Sequence, residues 1–148
     1  MPADRWLVFD TSIYIAAIRM GPASEPASIL MEDRPRTYLA AVVAAELRAG
    51  ATDDAARRLV HDYTLSAHRV GRVVTPTASS WERAGDIFAR MRSRQPEFRS
   101  KVPALWRDLL IALSARQLGA VVVAENVRDF ELLRRYVRFD LQSLADVR

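Results

Sequence analysis

Three aspartates in this sequence fall where an α/β chain could bring them to one place. Asp10 ends the short apolar run Trp6 to Phe9, as a residue does at the carboxyl end of a central parallel strand, which is where such sheets form ligand sites. Asp108 opens the run Leu109 to Leu113, apolar on every side of a helix and therefore buried. From Asp108 a helix runs outward for about ten residues, roughly 15 Å, and a five-residue strand returns about 16 Å, so Asn126 and Asp129 end level with Asp108. A carboxylate at the mouth of a buried helix needs a partner, and a divalent cation supplies one. Mg²⁺ and Mn²⁺ prefer hard oxygen ligands, keep several waters, and are held by a few carboxylates together with substrate phosphate. Each acid also has a plainer reading. Asp10 can cap the helix that follows it, Asp108 can favour a helix dipole, Asn126 can shape a turn, and Asp129 can be a first-turn acid.

The elements that must position these residues follow from hydrophobic period and from Gly and Pro punctuation. Thr11 and Ser12 can cap a helix from Ile13 to about Met20, ended by Gly21-Pro22. Residues 21–36 carry Pro22, Pro26 and Pro35 and read as a loop with one short turn at Ile29 to Met31, the segment expected to be most mobile. Thr37 to Leu39 reads as a brief strand, and Ala40 to Ala49 as a helix stopped by Gly50. Thr52, Asp53 and Asp54 open a helix to about Arg69, Arg72 to Thr75 is a short strand, and Thr77 or Ser79 caps a helix to about Arg94. After a loop from Gln95 to Val102, Pro103 starts a helix that reaches Leu118 and closes at Gly119. Ala120 to Ala124 is a buried strand, Val127 to Tyr136 a helix, and Val137 to Asp140 an edge strand before a polar tail. Strands alternating with helices at this spacing predict βαβ units and a parallel sheet with helices on both faces.

The 148 residues match one domain, spanning 1–148, with no internal repeat. Charges break every apolar run well short of the roughly 18 residues a membrane span needs, and the N-terminus shows no secretory signal, so a soluble, cytoplasmic protein without membrane contact is expected. No cysteine is present, which rules out a thiolate metal site and suits a reducing compartment. The net charge is +4, from 21 arginines, one lysine and 18 acids. Such an arginine surplus suits a phosphate-bearing partner, and it equally suits a GC-rich genome.

Taken together, several segments resemble the PIN-domain family, most closely its VapC-type toxin ribonucleases. Val8-Phe9-Asp10-Thr11-Ser12 resembles the opening strand and first acid. Ala41 to Gly50 resembles the helix of the second acid, and only this resemblance lifts Glu46 above an ordinary solvated helix residue. Asp108 with Ile111, Ala112 and Ala115, the strand Val121 to Val123, and Asn126 to Phe130 resemble the third acid, the return strand and the closing Asn-x-x-Asp-Phe motif. The match runs in order from residue 7 to 130. It implies a PIN-like three-layer α/β/α fold with a mostly parallel sheet of about four to five strands. It also implies Asp10, Glu46, Asp108 and Asp129 as catalytic residues and ligands of Mg²⁺ or Mn²⁺, with Ser12 and Asn126 in support. In the implied chemistry the metal makes a water more acidic for in-line attack on an RNA phosphodiester and stabilises charge on the leaving oxygen. A toxin of this kind is expected to be a homodimer, neutralised by a cognate antitoxin protein that covers the acidic cleft. The sequence departs from the family at Ala124, where threonine is usual, so a hydroxyl that helps orient the fourth ligand is missing.

Around the second loop, Arg90, Arg92, Arg94, Arg99, Lys101 and Arg107 form a basic run that could grip an RNA backbone, with Arg94, Arg99, Lys101 and Arg107 the nearest candidates; a solvated face is the plainer reading. His61 and His68 share a helix face without the further ligands of a zinc site. Trp6, Trp81 and Trp106 read as packing residues rather than base-stacking platforms. Haloacid-dehalogenase-type and receiver-domain chemistry both need a lysine that this chain places only in a loop, at Lys101. The alternative to a nuclease is a catalytically weak PIN-like module that binds RNA or protein without cutting.

Overall fold

The computed structural model describes residues 4–147, apart from the side chain of Phe98. The strands are β1 (Leu7–Phe9), β2 (Leu39–Ala40), β3 (Val73–Val74), β4 (Val121–Ala124) and β5 (Asp140–Ser143). β1, β4 and β5 lie side by side and parallel, with Val122 opposite Val8 on one flank and Leu141 on the other. β2 and β3 form a second parallel pair. A bridge between Leu7 and Thr37, with the Tyr38 N–H donating to the Leu7 carbonyl at 2.9 Å, joins the two into the order β3-β2-β1-β4-β5. From β1 the chain moves one way to β2 and β3, then returns to the other side for β4. The switch point between β1 and β4 is where an open parallel sheet offers a crevice at its carboxyl end.

Every residue of β1 and β4 is buried, although successive side chains point to opposite faces, so helices cover both sides of the centre of the sheet. The helices are α1 (Thr11–Met20), α2 (Glu25–Glu32), α3 (Ala41–Gly50), α4 (Asp54–Arg69), α5 (Ala78–Arg94), α6 (Val102–Leu118) and α7 (Arg128–Leu133). The fold is the expected α/β type. α6 is its central rod: Leu109 through Ala115 are buried without interruption, and the hydroxyl of Ser114 is satisfied by the Leu110 carbonyl at 2.7 Å. No helix among the described residues is long and apolar enough to cross a membrane.

Four sequence expectations need correction. The cap of α1 is Asp10, whose carboxylate accepts from the Ser12 N–H, so Thr11 and Ser12 lie inside the helix. Residues expected to be a loop contain α2: Ser24 caps it through the Ala27 N–H, and Pro26 stands in the first turn, where the missing N–H costs nothing. Residues between α5 and α6 form a 3₁₀ turn, Pro96–Lys101. The last strand is Asp140–Ser143 rather than Val137 to Asp140, because α7 stops at Leu133 and the segment holding Val137 and Phe139 is spent turning back onto the core, where Phe139 meets Phe130 edge-on at 6.4 Å.

Gly119 ends α6 at φ 63°, a left-handed conformation in which its N–H and that of Ala120 reach back to the Arg116 and Ala115 carbonyls. A methyl group there meets nothing within 4 Å, so its cost is backbone strain alone. Gly119→Ala is expected to lower stability by about 1 kcal/mol, whereas Gly50→Ala, at the helical end of α3 with no left-handed φ and equally open space, should raise it by about 0.5 kcal/mol. Opposite signs in urea denaturation check both.

Candidate metal centre

Asp10 is fixed twice at the switch point. Its backbone N–H donates to the Val123 carbonyl at 2.9 Å, carrying the β1–β4 ladder one residue beyond β1. Its carboxylate receives the Ser12 hydroxyl at 2.7 Å and the Ser12 N–H at 3.3 Å. The cap and the candidate ligand are thus one side chain: capping consumes one donor-facing edge of the carboxylate and leaves lone pairs on both oxygens. Ser12 therefore orients the Asp10 carboxylate.

Glu46 projects from the later turns of α3. One oxygen accepts the Thr11 hydroxyl at 3.0 Å, and the other lies 3.4 Å from an Arg107 guanidinium nitrogen. Thr11 is buried, so this hydrogen bond ties α1 to α3 across the crevice. Arg107, a candidate RNA contact in the sequence, faces a carboxylate of the acidic set and is half exposed at 51%. Asp129 lies in the first turn of α7, partly buried. Asn126 is exposed and its side-chain oxygen accepts the Arg128 N–H at 3.1 Å, so it shapes the entry to α7 and acts on Asp129 only through the backbone.

Asp108 shows how these groups meet. Burial pushes its carboxyl up to about 7, and the charges of Asp10, Asp129 and Glu46, in that order, push in the same direction against a smaller opposing pull from Arg107. Three carboxylates from three other elements are thus within electrostatic reach of Asp108. Asp10 is also raised, by burial first and by Glu125 last, while the Ser12 donors hold it down. Asp108 has no such donors among the described residues to offset the rise. Among the described residues no three His, Cys, Asp or Glu side chains converge into a ready-made metal cage.

Two contributors escaped the sequence reading. Thr11 looks like a helix residue until the fold brings α3 beside it. Glu125 follows β4 directly, exposed, with its charge felt by Asp10; its position after the last core strand was the available signal. Ala124 is fully buried at the end of β4, and no hydroxyl replaces the missing one there, since Ser143 opposite turns its own to Asp146 at 2.8 Å. His61 and His68 are exposed on α4. Trp106 stacks on Phe88 at 4.8 Å, whereas Trp6 and Trp81 are partly exposed, the first edge-on to Tyr38.

A model of the PIN domain matches residues 7–136. The chain belongs to the PIN-domain family. Its fold is similar to a chain of DNA-bound VapBC from Salmonella typhimurium, at TM-score 0.67 and 22% identity over 94% of this chain and 98% of that one. It is similar also to a chain of VapBC-1 from nontypeable Haemophilus influenzae, at TM-score 0.63 and 22% identity over 93% and 96% of the two chains. FitAcB from Neisseria gonorrhoeae gives TM-score 0.62 and 17% identity over 91% and 95%. At such identities the likeness is one of fold. No curated protein matches the sequence significantly.

Between its ordinary 3.8 and about 7, Asp108 in the folded chain holds a proton that the unfolded chain has released, so stability falls as pH rises through that window. In metal-free buffer Asp108→Asn should therefore gain on the wild type as pH goes from 5 to 8, reaching a melting temperature about 2–4 °C higher for each kcal/mol of relieved strain. A difference between the two proteins that stays flat across this range would contradict the charge cluster.

Proposed function

We propose that this chain is a Mg²⁺- or Mn²⁺-dependent endoribonuclease, the VapC-type toxin of a toxin–antitoxin pair. The observation that carries the reading is the state of Asp108 in a PIN fold: its carboxyl is pushed up to about 7 by burial and by the charges of Asp10, Asp129 and Glu46. Their donor set suits a small hard cation: oxygen only, multiply negative, and partly buried. A cage of three protein ligands is not required, because Mg²⁺ is held by one or two carboxylates with waters and substrate phosphate completing the shell.

In this reading the four carboxylates would hold the cation, with Asp108 in its deprotonated form. A bound divalent ion supplies two things, a more acidic water and neutralisation of charge developing on the scissile phosphate. The remaining roles belong to the chain. Ser12 fixes the orientation of Asp10, and Thr11 that of Glu46. Arg107, balanced between Glu46 and solvent, keeps a phosphate-binding fork beside the cluster. Asn126 sets the start of α7 and with it the position of Asp129. The partners proposed are an RNA substrate, a cognate antitoxin and a second copy of the chain, in the cytoplasm; the VapBC names of the similar structures support the antitoxin.

A second reading, a PIN module that binds without cutting, is favoured by the buried Ala124 where the family usually has a hydroxyl. The two separate on incubating the purified protein with structured RNA and Mn²⁺. Cleavage is expected, and Asp10→Asn or Glu46→Gln should lower it by roughly 10²-fold or more, since even outer partners of metal ligands cost 10–100-fold. Millimolar Mg²⁺ should also raise the melting temperature of the wild type and leave Asp10→Asn unmoved. Binding with no cleavage in any protein would select the second reading.

A further inference from the structure

One side of α7 carries a charge distribution that the carboxylate cluster does not use. Between the 3₁₀ turn Pro96–Lys101 and α7 lies an open groove of about 690 Å³, lined by Lys101, Arg128, Asp129, Glu131, Arg134 and Arg135 among others. Arg134 is paired with Glu131 at 3.6 Å. Lys101, Arg128 and Arg135 have no carboxylate partner among the described residues, and all three are exposed. At the next position along the chain, the half-buried Tyr136 ring has the guanidinium carbons of Arg90 and Arg94 at 6.0 and 5.9 Å from its centroid, which holds two further cations on that side of the protein.

We infer that this groove is the track for the RNA backbone, with Lys101, Arg128 and Arg135 as its phosphate contacts, leading the strand to the carboxylates. The inference rests on the nuclease reading for its direction. Unpaired cations on two facing elements suit a polyanion with regularly repeated charges, and the volume exceeds what a single phosphate fills. Asp129 stands in the groove wall, so the groove opens at one member of the acidic set. A phosphodiester chain lying on the cations therefore presents its next phosphate to the acids. Of the basic residues singled out in the sequence the groove wall includes Lys101, and it adds Arg128 on α7 and Arg135 just beyond it.

The test uses a fluorescein-labelled single-stranded RNA oligonucleotide and the full chain carrying Asp10→Asn to prevent cutting, with anisotropy read across a NaCl series. Adding Lys101→Gln, Arg128→Gln and Arg135→Gln should weaken binding and flatten the slope of log K against log [NaCl] by about 2, at roughly 0.7 per phosphate contact on a single strand. Restoring charge with Arg128→Lys and Arg135→Lys should recover the slope, and Arg57→Gln with Arg58→Gln on α4 should change neither quantity. Equal melting temperatures confirm that the compared proteins are folded. Unchanged affinity and slope in the triple variant overturn the groove while leaving the nuclease reading intact if the wild type still cuts RNA. Binding that depends on the groove, with no cutting by the wild type, removes the nuclease reading and keeps the groove. Loss of a co-purifying protein partner without loss of RNA binding assigns the surface to that partner and overturns the inference.

Discussion

Like charges are forced together here by apolar burial in which they take no part. β1 delivers Asp10, α6 delivers Asp108, and both elements are held by side chains with almost no contact with water. Hydrophobic burial of this extent far outweighs the repulsion among a few partly screened carboxylates. The sheet can therefore keep an arrangement that the acids themselves oppose, and the chemistry of the site is stored as that opposition. The same logic explains why Asp108 is pushed up to about 7: both acids are half-buried and raised by desolvation, but only Asp10 has Ser12 donors to stabilise its charge.

Around that constraint, the polar contacts divide the labour. Ser12 and Thr11, consecutive residues at the start of α1, each hold a different acid, so one helix terminus aligns carboxylates from β1 and α3 together. Arg107 tempers the charge from the rim without entering the core, since it is half exposed and its pull on Asp108 is the smallest of the effects acting there. α7 joins the two regions: Asp129 lines the groove together with Arg128, Arg134 and Arg135, and its charge also reaches Asp108.

The parts of the fold legible in the sequence were those governed by continuous apolar runs. Leu7 to Phe9, Leu109 to Leu113 and Val121 to Val123 admit few placements other than the centre of a parallel sheet and a buried rod, and Gly119 marks a helix end by its conformational freedom. α2 was hidden because Pro22, Pro26 and Pro35 read as loop punctuation, although only the position of Pro26 relative to Ser24 mattered and that position is helix-compatible. β5 was misplaced because Val137 and Phe139 look like strand residues, while the strand itself is a half-exposed edge with the sequence Asp-Leu-Gln-Ser. Within the site, Asp10 and Asp108 announced themselves by their neighbours in the chain. Glu46 did not, and the Thr11 hydroxyl that holds it depends on α3 crossing beside α1, a contact that no local pattern encodes.

The hydrogen bond from the Asp10 amide to Val123 has a dynamic consequence. Since that amide belongs to the central ladder, Asp10 cannot swing out by the fluctuation of a surface loop; moving its backbone means opening the sheet between β1 and β4. Amide exchange at Asp10 should then be as slow as in the core strands. Whatever binds there holds shut the innermost seam of the protein, and its binding energy resists complete unraveling of the chain rather than the fraying of one edge.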